Sequence, residues 1–122
     1  MTNNEITILI REWQHKLFLD AWDIKIEFHK KPFTEDSGVF ATCDPDIKYS
    51  SATIKIYPKF NTQDEKHMIQ TIIHELVHCK TEELDDLLTK AQNGKFIPDY
   101  LSEEAGERLT QWITMVVYDR QC

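Results

Sequence analysis

The chain is short of cysteine, of basic residues and of long apolar runs, and each shortage excludes a class of protein. The three cysteines form no CxxC pair, which is typical of reduced thiols in a cytosolic protein and not of a disulfide framework. No apolar run approaches the roughly 18 residues that a membrane helix needs. Residues 1–5 carry no positive charge ahead of an apolar stretch, so we expect no signal peptide and a cytoplasmic location.

The charge balance is acidic. The 14 lysines and arginines are outnumbered by 21 aspartates and glutamates, which gives a formal net charge of −7. A protein that binds the phosphate backbone usually presents a basic face, so we expect no nucleic-acid partner.

The composition that is present indicates a folded protein. The chain has 122 residues, of which 41% are hydrophobic and thirteen are aromatic. This length and this apolar content predict a single domain over residues 1–122 with one hydrophobic core.

Hydrophobic periodicity predicts helices around a small sheet. Residues 4 to 20 repeat apolar side chains every three or four positions, as an amphipathic helix does, with Ile6, Leu9, Ile10, Trp13, Leu17 and Phe18 on the buried face. Alternating residues predict strands at 22–30, 39–43 and 51–57, with a turn at 44–46. A helix starting near Asn61 or Thr62 reaches about Glu83, and residues 84–91 either continue it or form a separate helix.

A last helix is predicted from Glu103 to about Asp119, capped by Ser102. The element order predicts an α+β fold, with a three-stranded sheet packed on helices.

The sequence His74-Glu75-Leu76-Val77-His78 is a HExxH motif inside the apolar pattern of the second predicted helix. Residues four apart lie on one helix face, so both imidazoles can reach one metal ion. Glu75 then lies beside that ion, where its carboxylate can take a proton from a bound water. The alternative is a helix whose two histidines are only solvated or hydrogen-bonded.

A catalytic zinc site normally has a third protein ligand, and two histidines with one glutamate form a known set. No histidine follows His78, so the candidates are Glu103, Glu104 and Glu107 on the last helix. With the buried face centred on Leu109 and about 100° per residue, Glu103 lies nearest the core boundary and Glu107 nearly opposite the centre. This phase favours Glu103 over Glu104, although all three acids are also typical of a helix N-terminus.

Three other residues are weaker candidates. Tyr100 precedes the last helix and could donate to an oxyanion, but its position favours a loop aromatic that packs on Pro98. His67 lies two helical turns before His74, about 10 Å along the axis, which is too far for a shared ligand set. Cys79 points about 100° away from His78 and is typical of a core residue.

The HExxH motif followed by Glu103 on a later helix resembles the gluzincin zinc metallopeptidases, and most closely the single-domain minigluzincins and small SprT-like predicted peptidases of phage and bacterial genomes. The segments 22–26 (WDIKI) and 52–56 (ATIKI) resemble the strands that precede the motif helix in those proteins. The resemblance covers most of residues 10 to 117, and only HExxH is specific. A thermolysin-type Asn-Glu-x-x-Ser-Asp segment is absent, so the resemblance does not indicate which residue orients the histidines. Glu82, one turn after His78, could accept the ring N–H of His78 or could be only a solvent-exposed charge.

The resemblance implies a zincin-like fold in which His74, His78 and Glu103 bind Zn²⁺ and Glu75 is the general base of peptide hydrolysis. It also implies that an extended peptide or protein substrate pairs with a sheet edge beside the metal helix. The alternative is a protein that keeps the scaffold and the zinc for stability and binds a partner without catalysis.

Overall fold

A computed structural model describes residues 1–34 and 38–91, together with Glu107, Thr110, Gln111, Thr114, Met115, Val117 and Tyr118. Its elements are helix α1 (Asn3–Lys16), strands β1 (Asp23–Phe28), β2 (Ala41–Asp46) and β3 (Ser51–Ile56), and helix α2 (Glu65–Ala91). Short 3₁₀ turns lie at Ile47–Tyr49 and Pro58–Thr62. The described positions from Glu107 onward are helical, and we call them the C-terminal helical positions. The predicted α+β class is confirmed.

The three strands form one mixed sheet in the order β1-β3-β2. β1 runs parallel to β3, whereas β2 runs antiparallel to it. On β3 the side chains of Ala52, Ile54 and Ile56 are buried and alternate with half-buried ones, as expected when one face of a sheet packs on helices. α2 covers that face with Ile72, Ile73, Leu76 and Val77, all of which belong to the core.

Helix α1 begins where the sequence predicts but ends earlier. Thr2 caps it, with the Thr2 hydroxyl accepting from Glu5 N and the Glu5 carboxylate accepting from Thr2 N. The predicted extension to residue 20 is wrong, because the helix ends at Lys16 and Phe18 adopts a left-handed conformation (φ 58°). Phe18 is therefore 86% exposed, and Leu19 takes the buried place that the pattern gave to Phe18.

The predicted turn at 44–46 is also wrong, because these residues are the second half of β2. The chain reverses later, through Ile47–Tyr49 and a left-handed Ser50. Proline is usually excluded from strands because it lacks an N–H, but an edge strand tolerates it where that nitrogen faces away from the neighbouring strand.

Helix α2 carries the motif and is longer than the minimum that the sequence predicts. Asp64, rather than Asn61 or Thr62, supplies the cap, since its Oδ1 accepts from His67 N at 2.8 Å. The helix continues without interruption to Ala91, so residues 84–91 extend it. Within the described part of the chain, no helix has both the length and the apolar character needed to cross a membrane.

Candidate metal centre

His74 and His78 lie one turn apart on α2, with ring centroids 4.9 Å apart and nearly perpendicular planes. The opposite side of this helix is anchored in the core through Ile73, Leu76 and Val77. The two imidazoles are mostly buried, with side-chain exposures of 23% and 18%. The helical setting of the motif, which the sequence predicts, is confirmed, and it holds both rings on one rigid support.

The carboxylate of Glu107 faces both histidines. Its Oε1 lies 3.1 Å from His78 Nε2, and its Oε2 lies 3.5 Å from His74 Nε2. Four-coordinate zinc with bonds of about 2.0–2.1 Å places neighbouring ligand atoms about 3.3 Å apart. His74, His78 and Glu107 each offer one ligand atom, and these atoms all lie within 4.8 Å of one another, so the cluster could hold one Zn²⁺ with a fourth position left for water.

Glu107 is the acid that the helical phase ranked lowest, yet among the described residues it is the one whose carboxylate faces both histidines. The reason is that two threonines share the buried side of the C-terminal helical positions, with Thr110 completely buried and Thr114 1% exposed. The hydroxyl of Thr110 donates to Thr81 Oγ1 on α2 at 3.1 Å, and Thr114 donates to Thr110 O at 2.7 Å. Paired threonines are invisible to an apolar periodicity. Glu103, Glu104 and Tyr100 lie outside the described residues, so their predicted roles stay predictions.

Gln111 is a site residue that the sequence analysis missed. Its Oε1 lies 3.0 Å from His74 Nδ1. With a proton assigned to Nδ1, the imidazole donates to Gln111 and directs the lone pair of Nε2 toward Glu107. The spacing gave a signal, because Gln111 is four residues after Glu107 and lies on the same helix face.

Glu75 is a buried carboxyl group that borders the same cleft as the histidines. It is 8% exposed and has no hydrogen bond to any described residue. Burial, followed by the negative charges of Glu107 and Asp44, raises the pKa of Glu75 to about 8. A nearby divalent cation would favour the carboxylate form, so the basicity of Glu75 and metal binding are coupled.

The surroundings of His78 favour its neutral imidazole. Burial lowers the pKa of His78, although the adjacent Glu107 opposes this effect. The neutral imidazole is the form that binds a metal, so burial favours the ligand state.

Two neighbouring residues lie outside the ligand cluster, as the sequence predicts. Cys79 is completely buried in the core, and the half-buried Cys43 of β2 packs against that core. His67 lies on the wall of the adjoining cleft, with its Nδ1 2.6 Å from Asp64 Oδ1.

A cleft of about 610 Å³ runs between β2 and α2 and is bordered by His74, Glu75, His78 and Glu107. A second recess of about 340 Å³ shares His74 and Glu75 with it and continues toward His67. The histidine–glutamate cluster thus lies where two open recesses meet, which gives a chain-like ligand access from both directions.

The chain matches no protein-family model, no curated protein and no solved structure.

Proposed function

We propose that this protein is a zinc-dependent metallopeptidase of the gluzincin type, with His74, His78 and Glu107 as ligands and Glu75 as general base. The observation that carries the proposal is the convergence of Glu107 on both Nε2 atoms, at 3.1 and 3.5 Å, beside a buried carboxyl group. An ordinary surface ion pair does not need a second histidine, an orienting amide and an adjacent buried acid.

The residues around the cluster divide the chemistry between them. Bound zinc supplies Lewis-acid activation of a water and of the scissile carbonyl. The Glu75 carboxylate accepts the proton of the attacking water and then donates it to the nitrogen of the leaving amine. Gln111 keeps the His74 ring in the tautomer that leaves Nε2 available.

The cleft favours a peptide as substrate. β2 is an edge strand in the described sheet, and residues Ala41 to Pro45 form one wall of the larger recess. An extended chain can add to such an edge by backbone hydrogen bonds, which brings its amide groups past Glu75. This supports hydrolysis of peptide bonds over hydrolysis of a compact small molecule.

The test compares wild type with Glu75→Gln on unfolded, carboxymethylated protein. Glutamine is nearly isosteric and keeps a hydrogen-bonding group, but it cannot accept the proton. We expect zinc content and folding to survive, and peptidase activity to fall by roughly 10²–10⁴-fold.

Glu12→Gln, an exposed change on α1, is the matched control and should retain full activity. A chelator should abolish the activity of wild type. Equal activity in wild type and Glu75→Gln would assign the hydrolysis to another site or to a contaminant. Zinc binding with no hydrolysis in either protein would favour the non-catalytic, zinc-stabilised binding protein instead.

A further inference from the structure

The hydrogen bonds of β3 determine which backbone groups of β2 are open. Asp23 N donates to Ser50 O and His29 N donates to Ile56 O, so the backbone N–H and C=O groups of the even-numbered residues along β3 point toward β1. Tyr57 N donates to Phe40 O at 3.0 Å, so the backbone groups of the odd-numbered residues point toward β2. In an antiparallel pair, bonded and non-bonded positions alternate. The even-numbered residues of β2 therefore bond β3, and Ala41, Cys43 and Pro45 direct their backbone groups to the outer edge.

This outer edge is unpaired at the metal cluster. The backbone groups of Ala41 and Cys43 that face outward have no partner among the described residues. Both residues line the larger recess together with Glu75, so a chain paired with them passes the reacting groups. An edge with free donors and acceptors is a template for another strand.

Pro45 interrupts that template. Ala41 and Cys43 each offer one N–H and one C=O, but Pro45 offers only its C=O because its ring nitrogen carries no hydrogen. The nitrogen of Pro45 faces the open edge, which is why proline is tolerated inside β2. A strand laid along this edge in either direction leaves one of its own carbonyl groups without a donor at Pro45.

We propose that Pro45 marks the end of the substrate-binding part of β2. The substrate backbone forms hydrogen bonds with Ala41 and Cys43, and these backbone hydrogen bonds stop at Pro45. The inference rests on the proposed function and adds to it the class of substrate, which is an unstructured segment read through a short stretch of main chain. Beyond Pro45 the substrate no longer has to be extended, so the enzyme does not require a long extended strand.

The experiment compares wild type with Pro45→Ala on a series of peptides of decreasing length. An internally quenched ten-residue peptide is built around a cleavage site found in unfolded, carboxymethylated protein, and it is shortened one residue at a time from each end. Pro45→Ala restores an N–H and should lower KM for the full peptide by about 2- to 10-fold, the value of one net hydrogen bond, with kcat unchanged. This decrease in KM should disappear when the peptide is shortened from one end and should persist when it is shortened from the other end.

Two further measurements make the result specific. Pro58→Ala, at the 3₁₀ turn outside the cleft, is the matched control and should change KM for none of the peptides. In wild-type enzyme, replacing the substrate amide that faces Cys43 O by an ester removes one N–H and should raise KM by about 2- to 10-fold. This second arm does not depend on how the Pro45→Ala variant folds.

Equal KM values for Pro45→Ala and wild type on all peptides would overturn the proposal, as would a gain that survives trimming from both ends. If wild type shows no zinc-dependent cleavage, the proposed function fails separately. In that case the dissociation constants of fluorescein-labelled ten-residue unstructured peptides are measured instead. The two proteins compared are zinc-loaded Glu75→Gln and zinc-loaded Glu75→Gln that also carries Pro45→Ala. Absence of binding in that assay would overturn the edge pairing as well.

Discussion

At the scale of single residues, Glu75 combines two properties that rarely occur together in a surface cleft. It is 8% exposed, and its carboxyl group has no hydrogen bond to the described residues. Burying a carboxylate without a partner is costly, so the folded, metal-free protein holds the proton that the carboxylate would otherwise release. This is consistent with a group that becomes a base when a cation binds next to it.

The burial of Glu75 predicts that the free energy of unfolding of the metal-free protein decreases as the pH rises. The pKa of Glu75 is about 8 in the folded state against 4.5 for an ordinary glutamate, so both states are protonated at low pH. As the pH rises from 4.5 toward 8, the unfolded state releases a proton that the folded state keeps, and the free energy of unfolding falls. At pH 7, Glu75→Gln should be more stable than wild type by about 1–3 kcal/mol.

Urea unfolding with a chelator present, at pH 4.5 and at pH 7, measures this difference. The difference in free energy of unfolding between Glu75→Gln and wild type should be small at pH 4.5 and larger at pH 7. A difference of the same size at both pH values would show that the protonation of Glu75 is not its cause.

At the scale of elements, the site depends on how α2 and the C-terminal helical positions meet. His74 and Gln111 are 37 residues apart along the chain, and the pair Thr81–Thr110 ties the same two segments by a buried hydrogen bond. The bonded Thr110 and the carboxylate of Glu107 both contact α2, so these two positions share the side of the segment that faces this helix.

Gln111 tests this arrangement without touching a proposed ligand. Gln111→Ala removes the acceptor at His74 Nδ1 and should weaken zinc affinity by about 10- to 100-fold, the range found for groups that orient metal-bound histidines. Competition with a chelating dye measures the affinity. Met115→Ala, an exposed change on the same segment, is the control and should bind as wild type does. Unchanged affinity in Gln111→Ala would exclude an orienting role.

The elements also show what the sequence could and could not predict. The HExxH helix and the three strands follow from local periodicity, and their existence is confirmed with bounds shifted by a few residues. Residues 44–46 carry the side chains typical of a turn, which is what the sequence predicts, whereas the outward direction of the Pro45 nitrogen is a property of the sheet. The position of Glu107 depends on a buried threonine pair between segments, which no local pattern contains.

At the scale of the whole molecule, the proposed zinc site joins parts of the chain that are distant in sequence. The histidines belong to the helix that covers the sheet, and Glu107 belongs to a segment held on that helix by Thr110. A metal that binds only the folded arrangement stabilises it by mass action. Zinc is therefore expected to contribute to the fold as well as to catalysis.

The most direct test of the central claim is the zinc content of purified, reconstituted protein, measured by elemental mass spectrometry with circular dichroism as the check on folding. We expect about one Zn²⁺ per chain in wild type, loss of zinc in His78→Ala and in Glu107→Ala, and retention in Glu103→Ala. Retention in Glu107→Ala with loss in Glu103→Ala would move the third ligand to Glu103. Absence of zinc from folded wild-type protein after reconstitution would contradict the metal site itself.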